Sequence, residues 1–109
     1  MNEAAHYFAD EVALLANRHG QVVRFEDDGS WEVFIPSPRG ELELGGSKEW
    51  ASVAWGYLLI EDARILTSQD ADLLLAICDA ILAGDANSDR KASSATLTTR
   101  GFTSVWKCA

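Results

Sequence analysis

The segment from Thr67 to Gly84, TSQDADLLLAICDAILAG, restricts the fold more than any other part of the chain. Leu74, Ile77, Cys78 and Ile81 recur at helical spacing, and Leu73, Leu75 and Leu82 widen that stripe. Only Asp72 and Asp79, with Ala76 between them, mark a polar edge. A helix apolar on so many sides has to be covered. Its ends are equally explicit. Thr67 and Asp70 have the spacing of a capping box in its acidic variant, Asp70 and Asp72 complement the helix dipole, and Gly84 stops the helix. The expectation is a central helix met by more than one layer; alternatively, the flank of Leu73, Leu75 and Leu82 meets a partner subunit.

The layers that could cover it are read from the remaining chain. Residues 2–19 predict a first helix with Asn2 at its N-cap and Ala5, Phe8, Val12, Leu15 and Ala16 on one stripe. Gly20 follows, where a left-handed residue ends helices. Residues 21–35 then read as a β-hairpin. A loop of Asp27, Asp28 and Gly29 sets Phe25 opposite Trp31, Val23 opposite Val33, Arg24 opposite Glu32 and Val22 opposite Phe34. A shorter Asp28-Gly29 loop would set Phe25 against Glu32 and waste the aromatic pair. Pro36 and Pro38 are expected to end the strand. After a turn at Pro38-Arg39-Gly40, the alternation Glu41-Leu42-Glu43-Leu44 predicts a third strand with both leucines inward.

Gly45-Gly46 reads as a break, and Ser47 as the N-cap of a second helix carrying Trp50, Val53, Ala54, Tyr57 and Leu58 at helical spacing. Gly56 weakens that helix, so 55–60 could instead be a strand. Residues 85–96 lose apolar periodicity and read as a polar connector. The last residues are rich in strand formers and predict a terminal strand or second hairpin, with Phe102, Ser104 and Trp106 on one face. The fold class expected is α+β: a small, mostly antiparallel sheet, a three-strand meander plus a C-terminal strand or hairpin, packed by about three helices.

A chain of 109 residues makes one domain, long enough to bury a core without disulfides or metals. No apolar run approaches the roughly 20 residues needed to span a bilayer, and Asn2 and Glu3 break any secretory signal pattern. The expected location is the cytoplasm, and Cys78 and Cys108 are expected to be unpaired thiols. Charge is the main compositional signal. Residues 1–89 hold all seventeen acids but only five bases, a net of −12, whereas residues 90–109 hold four bases and no acid. So acidic a body repels phosphate backbones and steers towards a basic partner.

Candidate chemistry is sparse. His6, His19, Cys78 and Cys108 follow no metal-ligand spacing, and no nucleophile elbow or Cys-x-x-Cys pair occurs. Gly45-Gly46-Ser47 lacks both the P-loop lysine and the dinucleotide fingerprint. Glu61-Asp62 and Asp27-Asp28 read as ordinary exposed acids. Neither a catalytic residue, a cofactor nor a metal is expected.

Binding remains. Glu26, Asp27, Asp28, Glu32, Glu41 and Glu43 cluster in and beside the meander, and form the candidate surface for a basic partner. Of the four tryptophans, Trp31, Trp50 and Trp106 fit core faces, and Trp55 is the one nominated for an exposed interface position, with burial in the core as the alternative. In size, acidity and lack of a catalytic motif the chain resembles toxin-immunity and anti-CRISPR proteins as a class, with no shared motif. That resemblance implies a small inhibitor blocking the basic nucleic-acid site of a nuclease or CRISPR effector, without binding nucleic acid itself. The alternative is a non-inhibitory assembly module, homodimeric through the aromatic second helix.

Overall fold

A computed structural model of the chain describes residues 2–91, 94–99 and 102–107, with side chains placed for 2–89 and 96–98. Two helices, α1 (Glu3–Arg18) and α2 (Ser68–Ala83), lie on one face of an antiparallel sheet. The five strands of that sheet are β1 (Arg24–Phe25), β2 (Trp31–Ser37), β3 (Gly40–Ser47), β4 (Trp50–Trp55) and β5 (Leu58–Arg64), in that order across it. Strands β6 (Asn87–Lys91), β7 (Ser94–Thr99) and β8 (Phe102–Lys107) make a second antiparallel sheet, with β7 and β8 against β5. The class is α+β, with more strands and fewer helices than expected. Among the described residues, no helix is long and apolar enough to cross a membrane.

Both helices end where their residues dictate. The Asn2 side chain accepts a hydrogen bond from the Ala5 N–H at 2.8 Å, satisfying one of the orphan donors at the start of α1. Its amide donates to the Ile65 carbonyl at 3.0 Å, tying the same turn to the end of β5. At the other end Gly20 takes φ +76°, and Gln21 N–H reaches the Ala16 carbonyl, closing a Schellman motif. In α2, the Thr67 hydroxyl accepts from Asp70 N–H while the Asp70 carboxylate accepts from Thr67 N–H, the reciprocal box. Gly84 closes α2 at φ +80°.

Asp70 also accepts from the Leu66 N–H at 3.0 Å, and that bond, with the one from Thr67, holds its carboxyl below the usual aspartate range. A lowered folded value means that the unfolded chain binds the proton more tightly. The cap's contribution is therefore complete above the unfolded value near 3.9 and is lost as pH falls through the folded one. Asp70→Asn removes this titration. Urea midpoints measured between pH 5 and pH 2.5 should fall less steeply for Asp70→Asn than for the parent; equal slopes would show that the box does not titrate with folding.

The hairpin register follows side-chain pairing. Phe25 faces Trp31 and Arg24 faces Glu32, and Glu26 N–H bonds to the Ser30 carbonyl around Asp27, Asp28 and Gly29. β1 is only two residues long, so the Val22–Phe34 and Val23–Val33 pairs do not form ladder partners. Strand β2 runs through Pro36 to Ser37, where an end was expected. Pro36 is tolerated because β1 pairs only with Trp31 and Glu32, leaving this part of β2 at the sheet edge.

Two further expectations are corrected. Gly45-Gly46 does not break the chain; both lie inside β3, opposite Glu32 and Trp31. A Cβ at Gly46 would sit 2.6 Å from Trp31 Cε2 and Cζ2, so the glycine leaves room for the indole. The second helix does not exist. Residues 50–64 form the β4–β5 hairpin, with Ala51, Val53 and Trp55 buried at the period of two that a half-buried strand requires. The turn at Lys48-Glu49 precedes it and the turn at Gly56-Tyr57 joins its two strands, Lys48 and Gly56 having positive φ. A homodimer through an aromatic second helix therefore has no element to form it. The polar stretch 85–96, read as a connector, contains β6 and the start of β7. Of the two C-terminal alternatives the second hairpin is the one found, β7 pairing antiparallel with β8; the shared face of Phe102, Ser104 and Trp106 lies outside the described side chains, as does Cys108.

The core lies between the helices and the inner face of the larger sheet. Val33, Ile35, Leu42, Leu44, Val53 and Ile60 point inward to meet Phe8, Val12, Ile77, Cys78 and Ile81. Phe8 of α1 lies against Trp31, ring centroids 5.9 Å apart and tilted by 49°, a favourable aromatic geometry. α2 packs on α1, β2 and β3. Leu82 is buried and Leu75 half-buried, whereas Leu73 is 55% exposed. Cys78 is a free, buried thiol whose surroundings push its pKa up to about 12.

Candidate partner-binding face

Period two gives the larger sheet a second face. On β2, Trp31, Val33 and Ile35 point inward, so Glu32, Phe34 and Pro36 point outward; on β3, Leu42 and Leu44 send Glu41 and Glu43 outward. The register then builds rows across the sheet. Phe34 stands opposite Glu43, Glu43 opposite Ala54, and Ala54 opposite Leu59. In the adjacent row Glu32 stands opposite Gly45 and Gly45 opposite Ser52. Both helices lie on the other face, and on this one Glu32, Phe34, Glu41, Glu43 and Glu61 are exposed.

The β4–β5 ladder completes that second row through an irregularity. Ala51 pairs with Ala63 and Val53 with Ile60, so Ser52 alone faces both Glu61 and Asp62. This is a β-bulge, and the additional residue is absorbed by Asp62 in a left-handed conformation, φ +53°. Ile60 on one side and Ala63 on the other keep their inward positions, and Glu61 faces outward by alternation from Ile60. The result is a shallow depression of about 220 Å³. Glu32 and Phe34 stand on its β2 side, Leu59 and Glu61 on its β5 side, and the small residues Gly45, Ser52 and Ala54 lie between, with Glu43 beside them.

Charge on this face is poorly compensated. Arg24 bridges Glu26 (3.2 Å) and Glu32 (3.4 Å) from the sheet edge, all three being well exposed. Arg64 is engaged elsewhere, 3.0 Å from Glu49 and 5.6 Å from the centre of the Trp50 ring. Among the described residues, Glu41, Glu43 and Glu61 have neither an ion-pair nor a hydrogen-bond partner. Phe34 is 44% exposed in their midst.

The structure divides the six acids nominated from sequence. Glu32, Glu41 and Glu43 share the outer face, whereas Glu26, Asp27 and Asp28 occupy the β1–β2 turn at its end. Asp28 has work within that turn. It accepts from the hydroxyl of Ser30 at 2.6 Å and from its N–H at 2.9 Å, which hold the carboxyl below its usual range. Trp55 is corrected: it is 4% exposed, on the inward parity of β4, and its indole N–H donates to the Ser37 hydroxyl at 3.1 Å. Among the described side chains the exposed tryptophan is Trp50, at 42%, on the outer row with Ser47 and Arg64 rather than on the core face expected for it. Sequence reasoning missed Trp50, Leu59 and Glu61 as face residues; the alternation Ala51, Val53, Trp55 was the available signal.

A second concavity, about 240 Å³, lies between the helices beside Tyr7, Glu11, Arg18, Asp72 and Asp79. Its charges are mixed, and its tyrosine is already committed, Tyr7 O–H donating to Asp72 at 2.7 Å. No three described His, Cys, Asp or Glu side chains are grouped to hold a metal ion. Comparison with models of known protein families, with characterised proteins and with solved structures found no match.

Proposed function

We propose that the protein is a stoichiometric inhibitor that lays the outer face of its larger sheet over a basic nucleic-acid-binding groove of another protein, such as a nuclease or a CRISPR effector. The observation that carries this reading is the set of exposed carboxylates Glu32, Glu41, Glu43 and Glu61 around exposed Phe34, on the sheet face opposite the helices. Carboxylates attract the same arginines and lysines that hold phosphates, so such a face competes for a basic groove while being repelled by nucleic acid itself. The apolar centre supports the reading, since bound interfaces bury an aromatic or aliphatic anchor within a polar rim. A body charge of −12 over residues 1–89 would speed encounter with such a partner at low salt.

The test is capture from host lysate on immobilised protein, at 50 and at 300 mM salt, with Glu43→Lys/Glu61→Lys as control. Expected is a basic nucleic-acid-handling protein that duplex DNA or the higher salt releases, that the control fails to retain, and whose activity one equivalent of inhibitor abolishes. Retention by the charge-reversed control, or the absence of any basic nucleic-acid-handling partner at low salt, would overturn the proposal.

A further inference from the structure

We infer that the depression beside Phe34 seats an arginine side chain of the partner, in preference to lysine. The inference rests on the reading of this face as the partner surface, and it names the group recognised there. Three features of the depression select a guanidinium.

First, its middle is made of Gly45, Ser52 and Ala54, small residues that leave space for a flat group between the β2 and β5 side chains. Strands lie about 4.8 Å apart, so Phe34 on β2 and Leu59 on β5 are separated by roughly 14 Å of sheet, with only Glu43 and Ala54 in their row between. Second, Phe34 offers an exposed aromatic ring beside Glu43, its direct cross-strand neighbour. A guanidinium can stack on such a ring and simultaneously donate two parallel hydrogen bonds to a carboxylate; an ammonium cannot match that planar geometry. Third, the floor is largely apolar. Guanidinium is the more weakly hydrated cation, so bringing it onto Phe34, Ala54 and Leu59 costs less desolvation than bringing an ammonium. Glu43 and Glu61 have no cationic partner among the described residues, so an incoming arginine displaces no existing ion pair from them.

Isotope-labelled protein titrated with hexa-arginine and with hexalysine separates this inference from the reading on which it rests. At 50 mM salt the arginine peptide should bind about tenfold more tightly, a preference of the size that one stacked, bidentate cation supplies. The largest amide shifts should fall at Phe34, Glu43, Ala54 and Leu59. Phe34→Ala and Glu43→Gln, both at exposed positions, should abolish the preference while leaving lysine-level binding. Equal affinity for the two peptides, or shifts centred on Glu26–Asp28, would overturn the arginine seat and leave the basic-partner reading standing. Binding of neither peptide would overturn both.

Discussion

Leu74→Asp is expected to unfold the domain at room temperature. Leu74 is 5% exposed on the buried stripe of α2, one turn before Cys78. Removing a buried leucine side chain costs about 2–5 kcal/mol through lost transfer energy and the cavity left behind. An unpaired carboxyl at the same place adds several kcal/mol more, whether it remains charged or takes up a proton. Cys78, one turn further on, is fully buried on the same stripe, and that burial pushes its thiol up to about 12. The sum rivals the roughly 5–15 kcal/mol that holds domains of this kind folded. Leu73→Asp is the matched control: the same change one residue earlier, at a 55% exposed position, should cost less than about 1 kcal/mol. A Leu74→Asp protein with an unchanged cooperative melt would show that α2 is peripheral.

Gly46→Ala should have the next largest effect, and for a reason that a local view of the chain misses. The added methyl would meet the Trp31 indole at 2.6 Å, well inside contact distance. Trp31 is buried and packed against Phe8, so relieving the clash displaces packed neighbours and strains β2 and β3. Overpacking of this kind costs about 1–3 kcal/mol. For a chain of this size each kcal/mol lowers the melting temperature by about 4–8 °C. Pairing the change with Trp31→Phe isolates the clash. In that background the alanine should cost at least about 1 kcal/mol less, because the smaller ring vacates the space. Wild-type thermal stability in Gly46→Ala alone would refute the account.

Local chemistry made part of the fold legible. The span of α2 could be read because periodicity, capping box and terminal glycine all agree within a single stretch. The register of the first hairpin could be read because an aromatic pair distinguishes one loop length from another. Gly45-Gly46 misled because adjacent glycines usually punctuate a chain; the demand for Gly46 comes from a tryptophan on the neighbouring strand. Misreading 45–46 as a break then turned Ser47 into a cap and Trp50–Leu58 into a helix. In that short apolar run the helical set Trp50, Val53, Ala54 and the strand set Ala51, Val53, Trp55 both fit, and turn geometry decides between them.

The candidate face was legible to the same extent. Glu32, Glu41 and Glu43 alternate with core residues along strands that the pattern does reveal. Glu61 and Trp50 belong to the hairpin mistaken for a helix; Glu61 faces outward by simple alternation from Ile60, and the bulge beside it returns Ala63 to the inner face. Trp55 shows the converse. Its residue type suggests an interface, and its parity on β4 buries it.

The order of strands in the larger sheet carries a consequence for how the chain reaches this structure. Each strand from β1 to β5 pairs only with its neighbours in sequence. No strand has to wait for a distant segment, so the sheet can assemble as successive hairpins, each of the kind that closes in microseconds. The long loops are closed by the helices, as in the bonds from Asn2 to Ile65 and from Tyr7 to Asp72. Most of the entropy of bringing remote segments together is thereby concentrated in one event, the docking of α1 and α2, and that step rather than strand pairing sets the expected folding rate.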